Sequence, residues 1–291
     1  MDLLPRLVLH TIDGFVFGWV YALIAFGLSL IFGLLLIINV AHGTLYMLGA
    51  VFGWFLVREI GWGGGGYWVA LVLAPLAVGV LAACVELTIL RPIEKKPVMT
   101  ILSTFGLLLV FEHAVLGWVG GSALYLKAGI AGHVSLLGFQ YSTYRLFVAG
   151  AAFFVALGLW AFLYKTRYGI WVRAVRQNGD LSLVDGIPVR KVNTLAFGLG
   201  GALAGLSGVL SGPLVSITYQ MGLNVLIVAF IVVIVGGLGD LRGAVVAALI
   251  LGVAESLATV FVNATLAKVF ALLFVTTFLF FRPDGLFVRR G

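Results

Sequence analysis

The sequence has few charged residues and only one cysteine. Charged residues make up 10% of the 291 positions and hydrophobic residues 62%, whereas a soluble domain carries about 25% charged residues. Because Cys84 stands alone, an intrachain disulfide framework and a thiolate metal cluster are excluded. The composition therefore excludes an ordinary soluble enzyme or a disordered chain and indicates a chain embedded in lipid.

Several chemical motifs are missing as well. No lysine follows a glycine, so the chain lacks a GxxxxGK[ST] phosphate loop, and it has neither a G-x-S-x-G elbow nor a paired histidine ligand motif. We expect a chain that is not an enzyme, holds no metal and binds no cofactor itself. The net charge of +7 is spread between apolar runs. A nucleic-acid partner, which needs a clustered basic face, is therefore not expected.

Long apolar runs dominate what is present. About 20 apolar residues cross a bilayer as a helix, and backbone groups in lipid must be satisfied within a helix or a closed barrel. The sequence predicts an all-α polytopic membrane helical bundle of about nine transmembrane segments (eight to ten), forming a single transmembrane domain over residues 1–291. The second and seventh segments are short enough to be tilted, broken or re-entrant. The nine segments are residues 14–38, 44–60, 67–90, 98–120, 145–164, 192–216, 221–236, 244–262 and 265–281.

Lysine and arginine are unevenly divided between the connections. Thirteen lie in the connections that follow the odd-numbered segments, and five lie in the connections on the opposite side of the membrane. Because cytoplasmic loops are enriched in cations, we expect a cytoplasmic C-terminus, an N-terminus outside and a cytoplasmic loop at residues 165–191. The thirteen are Arg91, Lys95, Lys96, Lys165, Arg167, Arg173, Arg176, Arg190, Lys191, Arg242, Arg282, Arg289 and Arg290.

The 165–191 loop is the longest of these cytoplasmic connections. Residues 167–175 predict a short helix, and Asn178 and Gly179 interrupt it. A second turn is expected over residues 181–184, before Gly186. Two short helices on the inner surface would make a shelf for a cytoplasmic partner. The alternative is a solvated basic loop that only sets the topology.

Glycines in the sixth segment recur at spacings of three and four residues. This spacing places them on one face of a helix, where another backbone can approach closely. Helix packing within the subunit and a face lining a pathway are both consistent with the pattern. The residues are Gly198, Gly201, Gly205, Gly208 and Gly212.

Three carboxylates lie within apolar segments, where an unpaired charge is costly. Glu86 precedes Arg91 by five residues, and pairing between them is expected. Glu112 and Glu255 lie deeper in their segments. They are expected in a pathway, in polar packing or at a subunit interface.

Polar residues interrupt the apolar sequence between the first two segments. The interruption contains Asn39, His42 and Gly43 but no proline. A discontinuous helix at this point would offer unpaired backbone groups to a solute or ion. A tight turn capped by Asn39 is the alternative.

Motifs spread along the chain resemble those of one family. Residues 37–43 and 47–50 resemble the INFAHG…MLGA signature of permease subunits in branched-chain amino acid (LIV-type) ABC importers. The other motifs occur in the same order: Glu86 with Arg91-Pro92, Asp185-Gly186-Ile187, residues 201–210, residues 236–239 with Gly243-Ala244, and residues 282–287. The resemblance covers essentially the whole chain. In length the chain is similar to the smaller of the two permeases in such importers.

The resemblance implies an assembly and roles for particular residues. The partners would be a second permease, expected to be a different homologous chain, two cytoplasmic ATPases that bind ATP, and an extracytoplasmic solute-binding protein. Asn39, His42, Gly43, Glu112 and Glu255 are the candidates for the translocation pathway. Coupling to the ATPases is expected from Arg173, Ala174, Asp185, Gly186 and Ile187 in the 165–191 loop. The implied location is the prokaryotic inner membrane.

Two positions depart from the family pattern. Val40 replaces a phenylalanine, and residues 177–180 are less helical than the usual alanine-rich stretch. The family also serves urea, short amides and small aromatic acids, so these solutes stand beside branched-chain amino acids. An ion-coupled secondary transporter using Glu112 and Glu255 is the alternative function.

Overall fold

The computed structural model describes residues 3–60, 65–136 and 139–281. The family-like stretch at residues 282–287 and the C-terminus lie outside the described residues. Within them the chain is mainly helical, with one two-stranded antiparallel sheet. The elements are α1 (Leu3–Leu35), α2 (His42–Ile60), α3 (Gly65–Val85), α4 (Pro97–Val119), β1 (His133–Leu136), β2 (Phe139–Ser142), α5 (Thr143–Lys165), α6 (Arg167–Gln177), α7 (Gly179–Val184), α8 (Val189–Ser211), α9 (Met221–Gly236), α10 (Leu241–Ala258) and α11 (Ala264–Phe281).

A helix occurs at each of the nine apolar segments, but not all are equally suited to cross a membrane. Among the described residues, six helices are long and apolar enough: those that contain residues 5–35, 65–93, 97–119, 143–165, 189–211 and 241–258. The helix α9 has 16 residues, about 24 Å at 1.5 Å per residue, which is shorter than a bilayer core. The chain is thus a multi-pass membrane helical bundle, and the total of about nine spans stays a prediction.

Several segment ends differ from the hydropathy prediction; α1 begins at Leu3 rather than at residue 14, and α10 ends at Ala258 rather than at residue 262. The first helix ends at Leu35 rather than near residue 38, and α8 ends at Ser211 rather than at residue 216. Apolar side chains continue past both ends, so hydropathy alone does not show where the helix stops. The small β1–β2 hairpin was also absent from the all-α prediction. Its strands have only four residues each, and His133 pairs with Ser142 at its open end.

The first helix is the centre of the bundle. It packs against α5, α8, α9 and α10, and 78% of its apolar window is buried, compared with 22% for α5. Gly14 and Gly18 allow α10 to approach closely: a Cβ at Gly14 would lie 2.6 Å from the Val253 Cα. A helix surrounded on most sides must be apolar around its circumference, as α1 is.

Close packing also joins α8 to α3 and α2. A Cβ at Gly205 would lie 2.9 Å from the Val78 Cβ on α3, and a Cβ at Gly208 would overlap the Tyr46 carbonyl on α2. Gly198 and Gly201 also face α3, and Gly212 faces Leu126 in the connection after α4. The glycine face of α8 therefore lies against other elements of the same chain.

The end of α3 is stabilised by an ion pair. A π-helical turn (Glu86–Leu90) and a 3-10 turn (Arg91–Ile93) follow α3, and Pro92, which lacks an N–H, helps to end the helix. The Arg91 Nη2 donates to the Glu86 Oε2 at 2.9 Å, and the Thr194 hydroxyl on α8 donates to the same oxygen at 2.8 Å. The predicted pairing of Glu86 with Arg91 is confirmed.

The hairpin is tied to the N-terminal part of α1 by Asp13. The Tyr141 hydroxyl donates to the Asp13 Oδ1 at 2.6 Å, and the Arg145 guanidinium forms an ion pair with the same carboxylate. Burial raises the pKa of Tyr141 above its ordinary value, and the hydrogen bond to Asp13 raises it further. We refer to this side of the bundle as the hairpin end and to the opposite side as the α6 end.

Candidate translocation and coupling site

The connection between α1 and α2 is a non-helical segment in which Ile37, Asn39 and Ala41 are buried, whereas Leu36 and Ile38 are exposed. Its backbone groups are bonded locally: the Asn39 Oδ1 accepts from the Ala41 N–H at 3.1 Å, and the Asn39 carbonyl accepts from the His42 N–H at 3.2 Å. The Thr104 hydroxyl on α4 accepts from the Val40 N–H at 3.2 Å. Side-chain partners of this kind permit irregular backbone at membrane depth.

This segment leads back into the bundle before α2 begins. A Cβ at Gly27 on α1 would lie 3.0 Å from the His42 Cε1 and would overlap the Gly200 carbonyl on α8. Since Gly27 lies eight residues before the end of α1, the first residue of α2 lies about 12 Å inside that end. The segment therefore agrees with the second alternative, a turn capped by Asn39, because it reverses the chain between two separate helices and its Val40, Ala41 and His42 N–H groups have partners.

His42 and Gly43 are held by different neighbours. His42 is 0% exposed, and its Nε2 lies 3.0 Å from the Ile24 carbonyl, so this nitrogen must carry the proton. The Nδ1 finds no hydrogen-bond partner among the described residues. A Cβ at Gly43 would overlap the Gly222 carbonyl at the start of α9. The first turns of α2 and α9 thus meet inside the bundle.

The two deep carboxylates belong to different parts of the bundle. Glu112 on α4 is 7% exposed, and its Oε1 has no hydrogen-bond partner within the described ranges. Glu255 on α10 accepts a hydrogen bond from the Tyr21 hydroxyl on α1 at 3.0 Å. The helix α4 packs against α2, whereas α10 packs against α1, α9 and α11. The contacts of the two carboxylates do not join them in one site.

The predicted pair of short helices is confirmed in α6 and α7. The Thr166 hydroxyl accepts from the Gly169 N–H and caps α6, and the Asn178 Oδ1 accepts from the N–H groups of Asp180 and Leu181 and caps α7. Asn178 therefore starts the second helix as well as interrupting the first, in keeping with the preference for asparagine at this position.

The predicted coupling residues lie in the second half of α6 and in the turn that follows α7. The Arg173 guanidinium donates to the Leu163 carbonyl and lies 4.9 Å from the Tyr164 ring centre. The Ala174 carbonyl accepts from the Asn178 N–H at 3.0 Å. Beyond α7, Gly186 has a φ of +77°. Asp185 and Ile187, on either side of this turn, donate their N–H groups to the Leu181 and Ser182 carbonyls at 3.0 and 2.9 Å.

A cavity of about 450 Å³ lies between α6 and the last two turns of α1. Ser29 on α1 lines it, and its buried hydroxyl has no hydrogen-bond partner in the described part of the chain. Arg176 closes one side because its Nη1 donates to the Gly239 carbonyl, between α9 and α10, at 2.5 Å. Sequence reasoning did not single out this contact. In the sequence, Arg176 stands out only as a cation of the 165–191 loop, and Gly239 only as part of the motif at residues 236–239.

Metal-ligating side chains are dispersed in the structure. No group of three or more His, Cys, Asp or Glu residues is close enough to hold a metal ion within residues 3–60, 65–136 and 139–281. The polar groups near the α1–α2 segment are amide, hydroxyl and imidazole groups. Such groups can meet a small polar solute by hydrogen bonding.

The apolar helices define a multi-pass membrane protein. Residues 10–280 match the model of the family described as the branched-chain amino acid transport system permease component. The chain therefore belongs to this family of ABC transporter permease subunits, which are not themselves catalytic. The resemblance to LIV-type permeases is confirmed.

Individual relatives match over nearly their whole length. The high-affinity branched-chain amino acid permease LivH of Escherichia coli strain K12 is 26% identical, over 95% of this chain and 94% of LivH. BraD of Pseudomonas aeruginosa is 26% identical, over 96% and 94%. A probable LivH of Methanocaldococcus jannaschii is 26% identical, over 98% and 93%. No solved structure matches the chain.

Proposed function

We propose that this chain is the permease subunit of an ABC importer for branched-chain amino acids or a related small polar solute such as urea, a short amide or a small aromatic acid. It would form half of the translocation pathway and perform no covalent chemistry. The relatives named for branched-chain amino acid transport support the solute class. The α6–α7 helix pair is the observation that carries the proposed coupling to ATPases.

The proposed topology places α6 and α7 in the cytoplasm and the N-terminus outside the prokaryotic inner membrane. The division of cations, thirteen against five, supports this orientation, because positive residues are retained on the cytoplasmic side. The hairpin end would then face the solute-binding protein. The single transmembrane domain would include all of residues 1–291, with residues 165–191 as its coupling loop.

The surface of α7 suits a protein partner better than water. Leu181, Leu183 and Val184 are 62%, 56% and 84% exposed, although the helix has only six residues. Exposed apolar residues gathered on one short helix indicate a binding surface. We assign this surface to a groove on a cytoplasmic ATPase, with the turn at Gly186 directing the chain back to α8.

The contact between Arg176 and Gly239 supplies a route from the ATPases to the pathway. Movement of α6 would pull on the connection between α9 and α10 through the Gly239 carbonyl. At its other end, α9 meets Gly43 beside the non-helical segment. A displacement of α9 would therefore change the packing around Asn39 and His42. Such switching between two helix packings is a recognised means of alternating access.

The complete importer would contain four partner subunits. A second, homologous permease would supply the other half of the pathway, two ATPases would bind ATP, and a binding protein would deliver the solute and provide most of the specificity. The Glu112 Oε1 and the His42 Nδ1, which have no hydrogen-bond partner in the part of the chain that the structure describes, are the groups that a passing ammonium or amide would meet. Glu255, held by Tyr21, would have a smaller role.

Reconstitution of the whole importer tests this proposal. ATP-dependent uptake of leucine, with urea and benzoate as the other solutes, should require the binding protein, both permeases and the ATPases. Uptake by this chain alone, driven by a proton or sodium gradient and abolished by Glu112→Gln or Glu255→Gln, would establish the secondary-transporter alternative instead.

The coupling role is tested at Gly186. Replacing it with alanine forces a side chain into a left-handed φ, at a cost of about 1–2 kcal/mol, and tryptophan adds bulk to the same turn. Both variants, and Ala174→Trp, should lose solute-stimulated ATPase activity. Gly179→Ala is the control, because its Cβ also meets nothing within 4 Å and its φ is not positive. Full coupling in Gly186→Trp would contradict the assignment.

A further inference from the structure

A groove of about 580 Å³ runs along the outside of α3 and α8, away from the proposed pathway. Leu76 and Val80 on α3 and Leu87 in the π-helical turn that follows it line the groove and are 56%, 64% and 44% exposed. On α8 its walls include Leu195 and Leu199. The lining is apolar over most of its length and becomes basic at the α6 end.

The length of the groove matches one leaflet of a bilayer. Along α8 it extends from Arg190 to Ala202, which is about 18 Å at 1.5 Å per residue. Half of a 30 Å hydrocarbon core is about 15 Å. Apolar side chains therefore line a depth equal to one acyl layer, and the basic residues lie where phospholipid headgroups begin.

The basic end of the groove has an uncompensated positive charge. Arg91 is paired with Glu86 at 2.9 Å, so this cation is already neutralised. Arg190 and Lys191 are exposed, and no carboxylate within the described ranges forms an ion pair with either residue. Two free cations thus stand at the mouth of an apolar groove.

We infer that this groove binds one anionic glycerophospholipid. Its phosphate would contact Arg190 and Lys191, and one acyl chain would lie against Leu76, Val80 and Leu87. Basic pockets between transmembrane helices on the cytoplasmic side recognise anionic headgroups in this way. The charge favours this occupant over a helix of a second permease, which would leave the two cations without counterions. The inference requires α3 and α8 to cross the bilayer, and it holds for any transported solute.

Native mass spectrometry of the purified full-length chain tests the lipid assignment. Phosphatidylglycerol and phosphatidylcholine with the same acyl chains are titrated separately, and the first bound lipid is counted. Each cation near the headgroup should contribute about a fivefold preference for the anionic lipid, so Arg190→Gln/Lys191→Gln should lower its affinity roughly 25-fold. Lys95→Gln/Lys96→Gln is the control, because these exposed lysines lie at the same end. It should keep the preference.

A second pair of variants tests whether the apolar part of the groove binds an acyl chain. Val80→Trp fills the groove and should reduce binding of both lipids, whereas Val72→Trp, which is also on α3 and 57% exposed, should not. Inorganic phosphate should fail to displace phosphatidylglycerol because it has no acyl chain. Equal binding of the two lipids by the wild-type chain, or displacement by phosphate, would overturn the inference.

The assembled importer distinguishes lipid from protein as the occupant. A diazirine analogue of leucine, which is close to leucine in size, replaces Leu76 in the groove and is irradiated in membranes that contain the complete complex. A mass increase equal to one phosphatidylglycerol supports the inference. Cross-linking to the second permease would show that the groove is a subunit interface and overturn it. Because neither readout measures transport, a failure here is separate from a failure of the proposed function.

Discussion

Removing the Glu86 carboxylate should destabilise the α6 end of the bundle. Its side chain is 2% exposed, and Arg91 donates to it through Nε at 3.1 Å and Nη2 at 2.9 Å, while Thr194 donates from α8. In Glu86→Ala the arginine loses its counterion and keeps only its contacts with α8. Breaking a buried pair by removing one partner costs about 3–5 kcal/mol.

The expected size follows from the unequal burial of the two groups. The Arg91 side chain is 26% exposed, so water can partly solvate the charge that is left. We therefore expect the lower limit, about 3 kcal/mol for Glu86→Ala, and about 1.5 kcal/mol for Glu86→Gln, which keeps neutral hydrogen bonds. Glu86→Leu/Arg91→Met removes both charges and should recover to within about 1 kcal/mol of the wild type.

Thermal unfolding of the purified chain in detergent provides the measurement. With about 2 °C per kcal/mol for a chain of this size, Glu86→Ala should lower the Tm by roughly 6 °C. Glu94→Gln, which removes an exposed carboxylate at the same end, should leave the Tm unchanged. If Glu86→Ala shifts the Tm no more than this control, the ion pair does not stabilise the junction of α3 and α8.

Three further predictions concern other contacts in the chain. Gly205→Leu overpacks the interface of α8 with α3 and should lower the free energy of unfolding by about 2–3 kcal/mol. Gly117→Leu is the control and should cost almost nothing, because a Cβ at Gly117 has no atom within 4 Å. Equal losses in the two variants would contradict the packing argument. Tyr141 has a raised pKa because of burial and its hydrogen bond to a carboxylate, so its stabilising contribution should be present below pH 10 and decline as the pH rises further. Tyr141→Phe should lose about 1 kcal/mol at pH 7 and show none of that alkaline decline; an unchanged pH profile would refute the assignment. Gly239→Ala places a Cβ 2.7 Å from the Arg176 Nη2 at a φ of +80° and should lower ATP-coupled uptake several-fold in the reconstituted importer, with unchanged coupling as the contrary result.

Local features of this chain were largely predictable because neighbouring residues determine them. Apolar runs indicated where helices lie, since the bilayer requires about 20 apolar residues for each span. The change from α6 to α7 followed from Asn178 and Gly179, and the pairing of Glu86 with Arg91 followed from their five-residue separation and the cost of a buried charge. In each case the interacting groups are close in sequence.

Other features depended on residues far apart in the chain. The interruption at Asn39 was ambiguous until the contacts of Val40 with Thr104 on α4 and of Gly43 with Gly222 on α9 showed a turn packed against other helices. The partners of Glu255 and Arg176 lie on other helices, at positions that no local pattern specifies. The sequence by itself determined that the chain is a multi-pass membrane protein, because every span must meet the same requirement for length and apolar composition. Its motifs indicated the permease family. Only the tertiary structure decided which buried polar groups meet, because those pairs depend on how the helices pack.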